Sequence, residues 1–232
     1  MDSKTLVKTP EELLGSLNEV EKKCAPVNLF LKGNLKLFEA GPRVSLVGTR
    51  NPSDQGCRDT IKIIKDLVQN NIVIVSGLAK GIDTLAHKTS MDERGNTIAV
   101  LGTPLNQCYP TENFELQQTI SREHLVVSQF PEGSKVQKIN FPLRNRTMAL
   151  LSHATIIVEA GETSGTIHQG WEALRLGRPL FINHNLVKSI KLSWPKKMVN
   201  YGAIALSMSG IEKILEALPA SGSRLIDVTF PS

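Results

Sequence analysis

Two hydrophobic periods alternate along this chain. From Arg43 onward, short runs of β-branched and aliphatic residues are separated by longer amphipathic stretches. The runs Val44–Val47, Ile72–Val75, Thr97–Leu101, Leu125–Ser128, Thr155–Val158 and Leu180–Ile182 predict strands, with a last strand expected near Ala203–Ser207. Between the first two strands Ile61, Ile64, Leu67 and Val68 fall on one helical face. Further helices are expected at about Ile82–Arg94, Glu112–Ser121, Arg144–Ser152, Thr166–Leu176 and Ile211–Leu218. Ser209 and Glu212 form a capping-box signal for the last of these. Nearer the N-terminus Thr9, Pro10 and Glu12 mark a helix start, continued by Leu13, Leu14, Leu17 and Val20 at helical spacing. The stretch from Cys24 to Pro42 carries neither period and reads as irregular. Strand–helix alternation at this spacing predicts an α/β fold with a mostly parallel sheet and helices on both faces. The expected division is an N-terminal helix and lead-in over 1–42, an α/β domain over 43–218 and a short tail over 219–232.

Composition narrows the class without changing this picture. Of the 232 residues 41% are hydrophobic and 21% charged, which excludes wholesale disorder. Aromatics are only 5%, so the core is aliphatic. The balance of 27 Lys+Arg against 22 Asp+Glu gives a formal charge of +5, which suits a polyanionic partner without establishing one. Cys24, Cys57 and Cys108 are odd in number, widely spaced and contain no CxxC pair. They argue against a disulfide framework or a zinc site and fit a reducing cytoplasm. The start MDSKTLVKTPEELL has no secretory pattern, and no apolar run reaches about 18 residues, so a cytoplasmic protein without a membrane span is expected.

In a parallel α/β sheet, ligands bind beyond the carboxyl ends of the strands, where loops enter helices. Several such ends here carry glycine and charge: Gly48-Thr49-Arg50 after the first strand, Gly77-Leu78-Ala79-Lys80-Gly81 after the second, Gly102-Thr103-Pro104 after the third and Gly161 to Thr166 after the fifth. Each glycine alone suits a tight turn. Several loops converging on one edge, two with a cation, point to an anion-facing edge. There is no GxxxxGK[ST] phosphate loop and no GxGxxG dinucleotide fingerprint, so no cofactor is expected. Asn140, Phe141, Arg144 and Arg146 form a second constellation, an aromatic beside paired arginines, which suits a base and its phosphates; Phe141 also suits a core position. Asp83 and His87 share a helix face, and with Ser76 would make a triad only in a geometry this context does not offer. Asp83 is expected to bond His87 or nearby backbone instead. Glu159, Glu162 and Glu172 read as a polar rim, Trp171 and Trp194 as packing residues, and the histidines show no metal spacing.

Six stretches in order resemble the DprA/Smf family of DNA-processing proteins: VSLVGTRNPSDQG (Val44–Gly56), VSGLAKGIDTLAH (Val75–His87), AVLGTPLNQCYPTEN (Ala99–Asn113), SQFPEG (Ser128–Gly133), NFPLRNRTMALLS (Asn140–Ser152) and VEAGETSGT (Val158–Thr166). The resemblance implies an extended Rossmann-like domain that binds single-stranded DNA, assists a RecA-type recombinase in natural transformation, forms a homodimer and is not an enzyme. It places Arg50, Lys80, Arg144 and Arg146 on the family's cationic positions, and with them Gly48, Gly77, Gly81, Asn140, Phe141, Ser164, Gly165 and Thr166 as the expected DNA-binding set. The family's N- and C-terminal domains are expected to be missing or reduced here, and the other departures are Pro104 and Gln129 in place of a glycine and a glutamate, and Thr166-Ile167-His168 after Ser164-Gly165. The loop at Gly165-Thr166, followed by Glu172, is also somewhat similar to that of LOG-type nucleoside-phosphate hydrolases and nucleotide-sensing domains, so nucleotide binding or hydrolysis is the alternative. An enzyme there needs a contiguous Gly-Gly-x-Gly-Thr run and a close Arg/Glu pair, and the run is absent.

Overall fold

The computed structural model describes residues 4–207 and 210–219. Nine strands form one sheet: β1 (Leu6–Lys8), β2 (Leu29–Gly33), β3 (Arg43–Val47), β4 (Val73–Ser76), β5 (Thr97–Leu101), β6 (Leu125–Ser128), β7 (Ala154–Ile157), β8 (Leu180–Asn183) and β9 (Ile204–Leu206). The helices are α1 (Pro10–Leu14), α2 (Glu19–Cys24), α3 (Asp54–Gln69), α4 (Ile82–Asp92), α5 (Phe114–Glu123), α6 (Asn140–Leu151), α7 (Thr166–Arg175), α8 (His184–Lys188), α9 (Trp194–Asn200) and α10 (Ile211–Glu216). The spatial order is β1-β2-β6-β5-β4-β3-β7-β8-β9. From β6 to β9 every pairing is parallel, whereas β2 pairs antiparallel with β6 and with β1. The chain starts the parallel part at β3, runs outward through β4, β5 and β6, and returns to β7 on the other side of β3. This is the doubly wound Rossmann arrangement, and its reversal opens a crevice between the ends of β3 and β7.

Alternation along each strand feeds two cores. Val44, Leu46, Ile74 and Ile156 pack toward α3, α4 and α10, while Val47, Val73, Val75 and Ile157 pack toward α6, α7 and α9. A third cluster joins Ala99, Leu101 and Val126 to Leu116 and Ile120 of α5. Strands buried on both faces are why their sequences read as continuous apolar runs.

The expected strands are all present within a residue or two, and the differences elsewhere have physical causes. Thr9 caps α1 with Glu12 in a reciprocal capping box, but Gly15 adopts φ 86° and ends the helix, so Leu17 and Val20 do not continue it; Asn18 caps α2 afresh. The stretch expected to be irregular contains β2, whose Leu29 and Leu31 are fully buried; a strand of five residues, four of them paired to β6, is too short to show a clear period. On α3 the buried face runs through Thr60, Ile63, Ile64 and Leu67, and Ile61 is exposed. Helix α6 begins at Asn140 rather than Arg144, so Phe141-Pro142 is its first turn, where a proline costs no hydrogen bond. Helices α8 and α9 were not expected. Ser209 and residues 220–232 lie outside the described residues. Among the described residues no helix is long and apolar enough to cross a membrane.

The N-terminal elements are fastened to the sheet by buried polar groups. Arg178, just before β8, forms a buried ion pair with Glu21 of α2. The buried Arg43 guanidinium donates to the carbonyls of Leu151 (2.7 Å) and Phe38 (2.6 Å) and lies over the Phe38 ring. His153 accepts the Arg43 backbone N–H on Nδ1 at 2.8 Å. Burial, and then the charges of Arg43 and Arg178, push the His153 pKa from 6.5 down to about 3. In the unfolded chain this imidazole takes its proton near its ordinary value, so between the two values the unfolded state holds more protons and stability falls as pH falls. Replacing His153 with Gln, which can still accept from Arg43, should flatten the dependence of unfolding free energy on pH between about pH 6 and about pH 4 by up to about 1.4 kcal/mol per pH unit. Chemical denaturation of both proteins across that window measures this, and parallel slopes would contradict it.

Candidate functional site

The crevice between β3 and β7 is built from the loops that the sequence pattern brought to one edge. Thr49 N–H donates to the Glu159 carbonyl (2.7 Å), and Ile82 N–H donates to the Thr49 carbonyl (3.2 Å), so the β3, β4 and β7 loops are stitched together by backbone. The Glu159 carboxylate accepts from the backbone N–H (3.0 Å) and hydroxyl (3.1 Å) of Ser53, the N-cap of α3. Thr166 Oγ1 donates to the Gly48 carbonyl (3.1 Å), and the Ser164 hydroxyl accepts from Thr166 N–H (3.2 Å), placing the start of α7 against the end of β3. Gly48 has no room for a side chain because Ile82 packs on it, and Gly81, at φ 77°, lets its loop turn against the carbonyls of Thr49 and Arg50.

Between these loops lies a cavity of about 380 Å³. Arg50, Asp83, Phe141, Arg144 and Thr166 contribute to its wall. Arg144 is the buried cation of the site, only 6% exposed. One of its Nη atoms donates to the Val100 carbonyl (3.2 Å) and stands 3.9 Å from the Asp83 carboxylate. Its Nε is buried with no partner. The guanidinium occupies the space a Cβ on residue 77 would need, which is why Gly77 is a glycine. Asp83 accepts from the Ala79 backbone N–H (3.3 Å), and burial pushes its pKa up against the pull of Arg144. Burial likewise lowers the Arg144 pKa, Asp83 raises it and the neighbouring Arg50 lowers it further. His87 does not meet Asp83. It bonds Thr97 Oγ1 at 2.6 Å, and burial, with the charges of His124 and Arg144, holds its pKa at about 3. The backbone alternative expected for Asp83 is therefore the one adopted.

The other expected residues divide by what they touch. Arg50 is exposed at the cavity mouth, and among the described residues neither Asp54 nor Asp83 nor any other carboxylate pairs with it. Lys80 opens on the same side but forms an ion pair with Glu112, whose pKa that contact lowers. Arg146 donates from Nε to Glu172 (3.0 Å), which also holds Arg175. Phe141 packs on Gly102, where a Cβ would sit 2.8 Å from its Cδ1, and leans on the Tyr109 ring at 5.3 Å. Asn140 is buried with its Nδ2 unpartnered. Gly165 accepts from Asn145 Nδ2 (3.2 Å). Sequence reasoning missed Tyr109, half exposed beside Phe141; the signal available was an aromatic before Pro110 in a strand-end loop. Trp194 is buried and Trp171 packs edge-on against Tyr201, as packing residues do. Among the described residues no cluster of three or more His, Cys, Asp or Glu is arranged to hold a metal.

Known proteins are similar to this chain in sequence and in architecture. The DNA recombination-mediator protein A family matches residues 8–219. The DNA processing protein DprA of Bacillus subtilis is 36% identical over 194 residues, 84% of this chain and 65% of that protein. That of Streptococcus pneumoniae is 46% identical over 157 residues, 68% of this chain and 55% of that protein. The chain thus spans somewhat over half the length of these curated relatives. The crystal structure of DNA processing protein A from S. pneumoniae superposes with a TM-score of 0.78 at 36% identity, over 92% of this chain and 74% of that one. The protein of that name from Helicobacter pylori gives a TM-score of 0.75 at 27% identity, over 93% and 97%. A match across nearly the whole described chain, in sequence and in fold together, means that this chain belongs to the DNA recombination-mediator protein A family, that of the DprA and Smf proteins.

Proposed function

We propose that this chain binds single-stranded DNA along the carboxyl edge of its sheet, with a nucleotide in the large cavity and its phosphate on Arg50. The observation that carries this is the unpaired Arg50 guanidinium at the mouth of a cavity whose wall holds a second, buried cation. A fork of N–H donors with no internal carboxylate is available to a phosphate, and Arg144 beneath it adds positive potential in a poorly solvated place. The cavity is of nucleotide scale and recessed, so it suits an unpaired base, whereas bases in a duplex are turned inward and stacked. The related protein from H. pylori binds single-stranded DNA.

In this account Phe141 offers a base its ring face. Gly48, Gly77 and Gly81 keep the edge bare enough for backbone to approach the strand, and Ser164, Gly165 and Thr166 form the opposite wall. Lys80 and Arg146 reach phosphate by exchanging a carboxylate partner for it. Asn140, buried under the first turn of α6, positions Phe141. The chain acts as a cytoplasmic binding protein with no catalytic step, and it works as a homodimer beside a RecA-type recombinase; among the described residues β9 ends the sheet, and an edge strand suits self-association. The hydrolase alternative lacks the contiguous glycine run, and the close Arg/Glu pair that such an enzyme also needs, present as Arg146–Glu172, does not line the cavity. Release of free base from nucleoside monophosphates would reverse that judgement.

Affinity for oligo(dT) should exceed that for duplex of the same length and should fall steeply with salt; a flat log–log salt plot would contradict the phosphate contacts. Arg50→Ala should weaken binding to all single strands alike by about tenfold or more and reduce the salt slope by about 1, with the melting temperature unchanged. Arg50→Lys should restore the slope and only part of the affinity. A drop in melting temperature with an unchanged slope would instead make Arg50 a scaffold residue.

Glu112→Gln frees the Lys80 ammonium and removes a negative charge from the rim. Single-strand affinity should rise by about two- to fivefold at low salt, with the gain vanishing as salt is added. Titrations of the variant at two salt concentrations test this, and weaker binding would show that the pair supports the site by shape.

A further inference from the structure

Sharing Arg50 with the large cavity lies a smaller hollow of about 50 Å³. Arg50, Ala79, Phe141 and Arg144 line both, so the two spaces adjoin along the sheet edge. The outer wall of the hollow is Tyr109 with Pro110, and Lys80 stands at its rim. Tyr109 is 52% exposed, and its ring plane is inclined 52° to that of Phe141.

The loop that carries Tyr109 is not loose. Gln117 Nε2 donates to the carbonyls of Leu105 (3.0 Å) and Gln107 (3.2 Å), and Thr103 Oγ1 donates to the Gln107 carbonyl (2.9 Å). Asn113 Nδ2 donates to the Leu78 carbonyl and to Thr84 Oγ1, both at 2.8 Å, which ties the loop to the one bearing Lys80. An aromatic face held in place at an exposed edge, with cations beside it, costs little to organise for a ligand and has the chemistry that receives a nucleobase and its phosphate. Because the two rings are inclined, one flat base cannot stack fully on both; two bases of one strand can, each on its own ring.

We propose that Tyr109 is a second nucleobase platform, distinct from Phe141, so that a single strand runs from the large cavity across Arg50 to the hollow at Pro110. This presupposes the single-strand binding proposed above. The platform accepts any base, because every base presents a π face.

The test is a double-mutant cycle read with two ligands, oligo(dT) and an all-abasic strand of equal length. Tyr109→Ala should weaken oligo(dT) binding by about 5- to 100-fold, the range for losing one stacked base. Tyr109→Trp should retain it, and the abasic strand should bind both variants and the parent alike. In the Phe141→Ala background, Tyr109→Ala should still cost most of that factor. An equal loss on the abasic strand, no loss on oligo(dT), or a loss that vanishes once Phe141 is gone would overturn the proposal, the last by making Tyr109 a mere support for Phe141. Failure of the parent chain to bind oligo(dT) at all would instead remove the single-strand reading itself, and the platform with it.

Discussion

The burial of Arg144 is the constraint on which the rest of the site depends. A guanidinium that is 6% exposed must be compensated, because an isolated charge in a protein interior is costly by several kcal/mol. The compensation comes from the Val100 carbonyl of β5 and the Asp83 carboxylate on α4, and a bare Cα at Gly77 after β4 makes room for the group. Each belongs to a different element, so satisfying one side chain fixes the relative placement of β4, β5, α4 and α6. It also commits Asp83 inward. Asp83, a carboxylate in the wall of the same cavity, is therefore occupied, and Arg50 is left exposed beside a second positive charge. The electrostatics of the cavity mouth follow from how the interior was satisfied.

Topology supplies the location. The chain leaves β3 in one direction and comes back to β7 in the other, so the loops after these strands diverge and cannot cover the gap between them. The two loops are held at a fixed spacing by the Thr49 N–H on the Glu159 carbonyl and by the Thr166 hydroxyl on the Gly48 carbonyl.

How much of this was legible in the sequence depended on range. The parallel strands were readable because both faces of each are buried and their runs are apolar throughout, as at Ile72 to Val75. Strand β2 was not, since its place beside β6 comes from a pairing almost a hundred residues away that leaves no local period. The gathering of Arg50, Lys80 and Arg144 around one hollow was legible from strand ends and from motif resemblance, whereas Arg146 lines neither hollow. Their partners were not: Lys80 finds Glu112, Arg146 finds Glu172 and Arg144 turns inward to Asp83, and nothing in the spacing of these residues distinguishes them from the unpaired Arg50. Tyr109 escaped notice for a similar reason. Its exposure and its contact with Phe141 arise from a loop pinned by Asn113 and Gln117, and those bonds exist only in the folded chain.

The most direct test of the central claim is a crystal structure of the chain with oligo(dT) bound. The account predicts a phosphate within hydrogen-bond reach of both terminal nitrogens of Arg50 and an unpaired base in the cavity beside Phe141, with Arg144 still buried against Asp83. A strand bound on another face of the sheet, with Arg50 solvated and the cavity unoccupied by nucleotide, would contradict it.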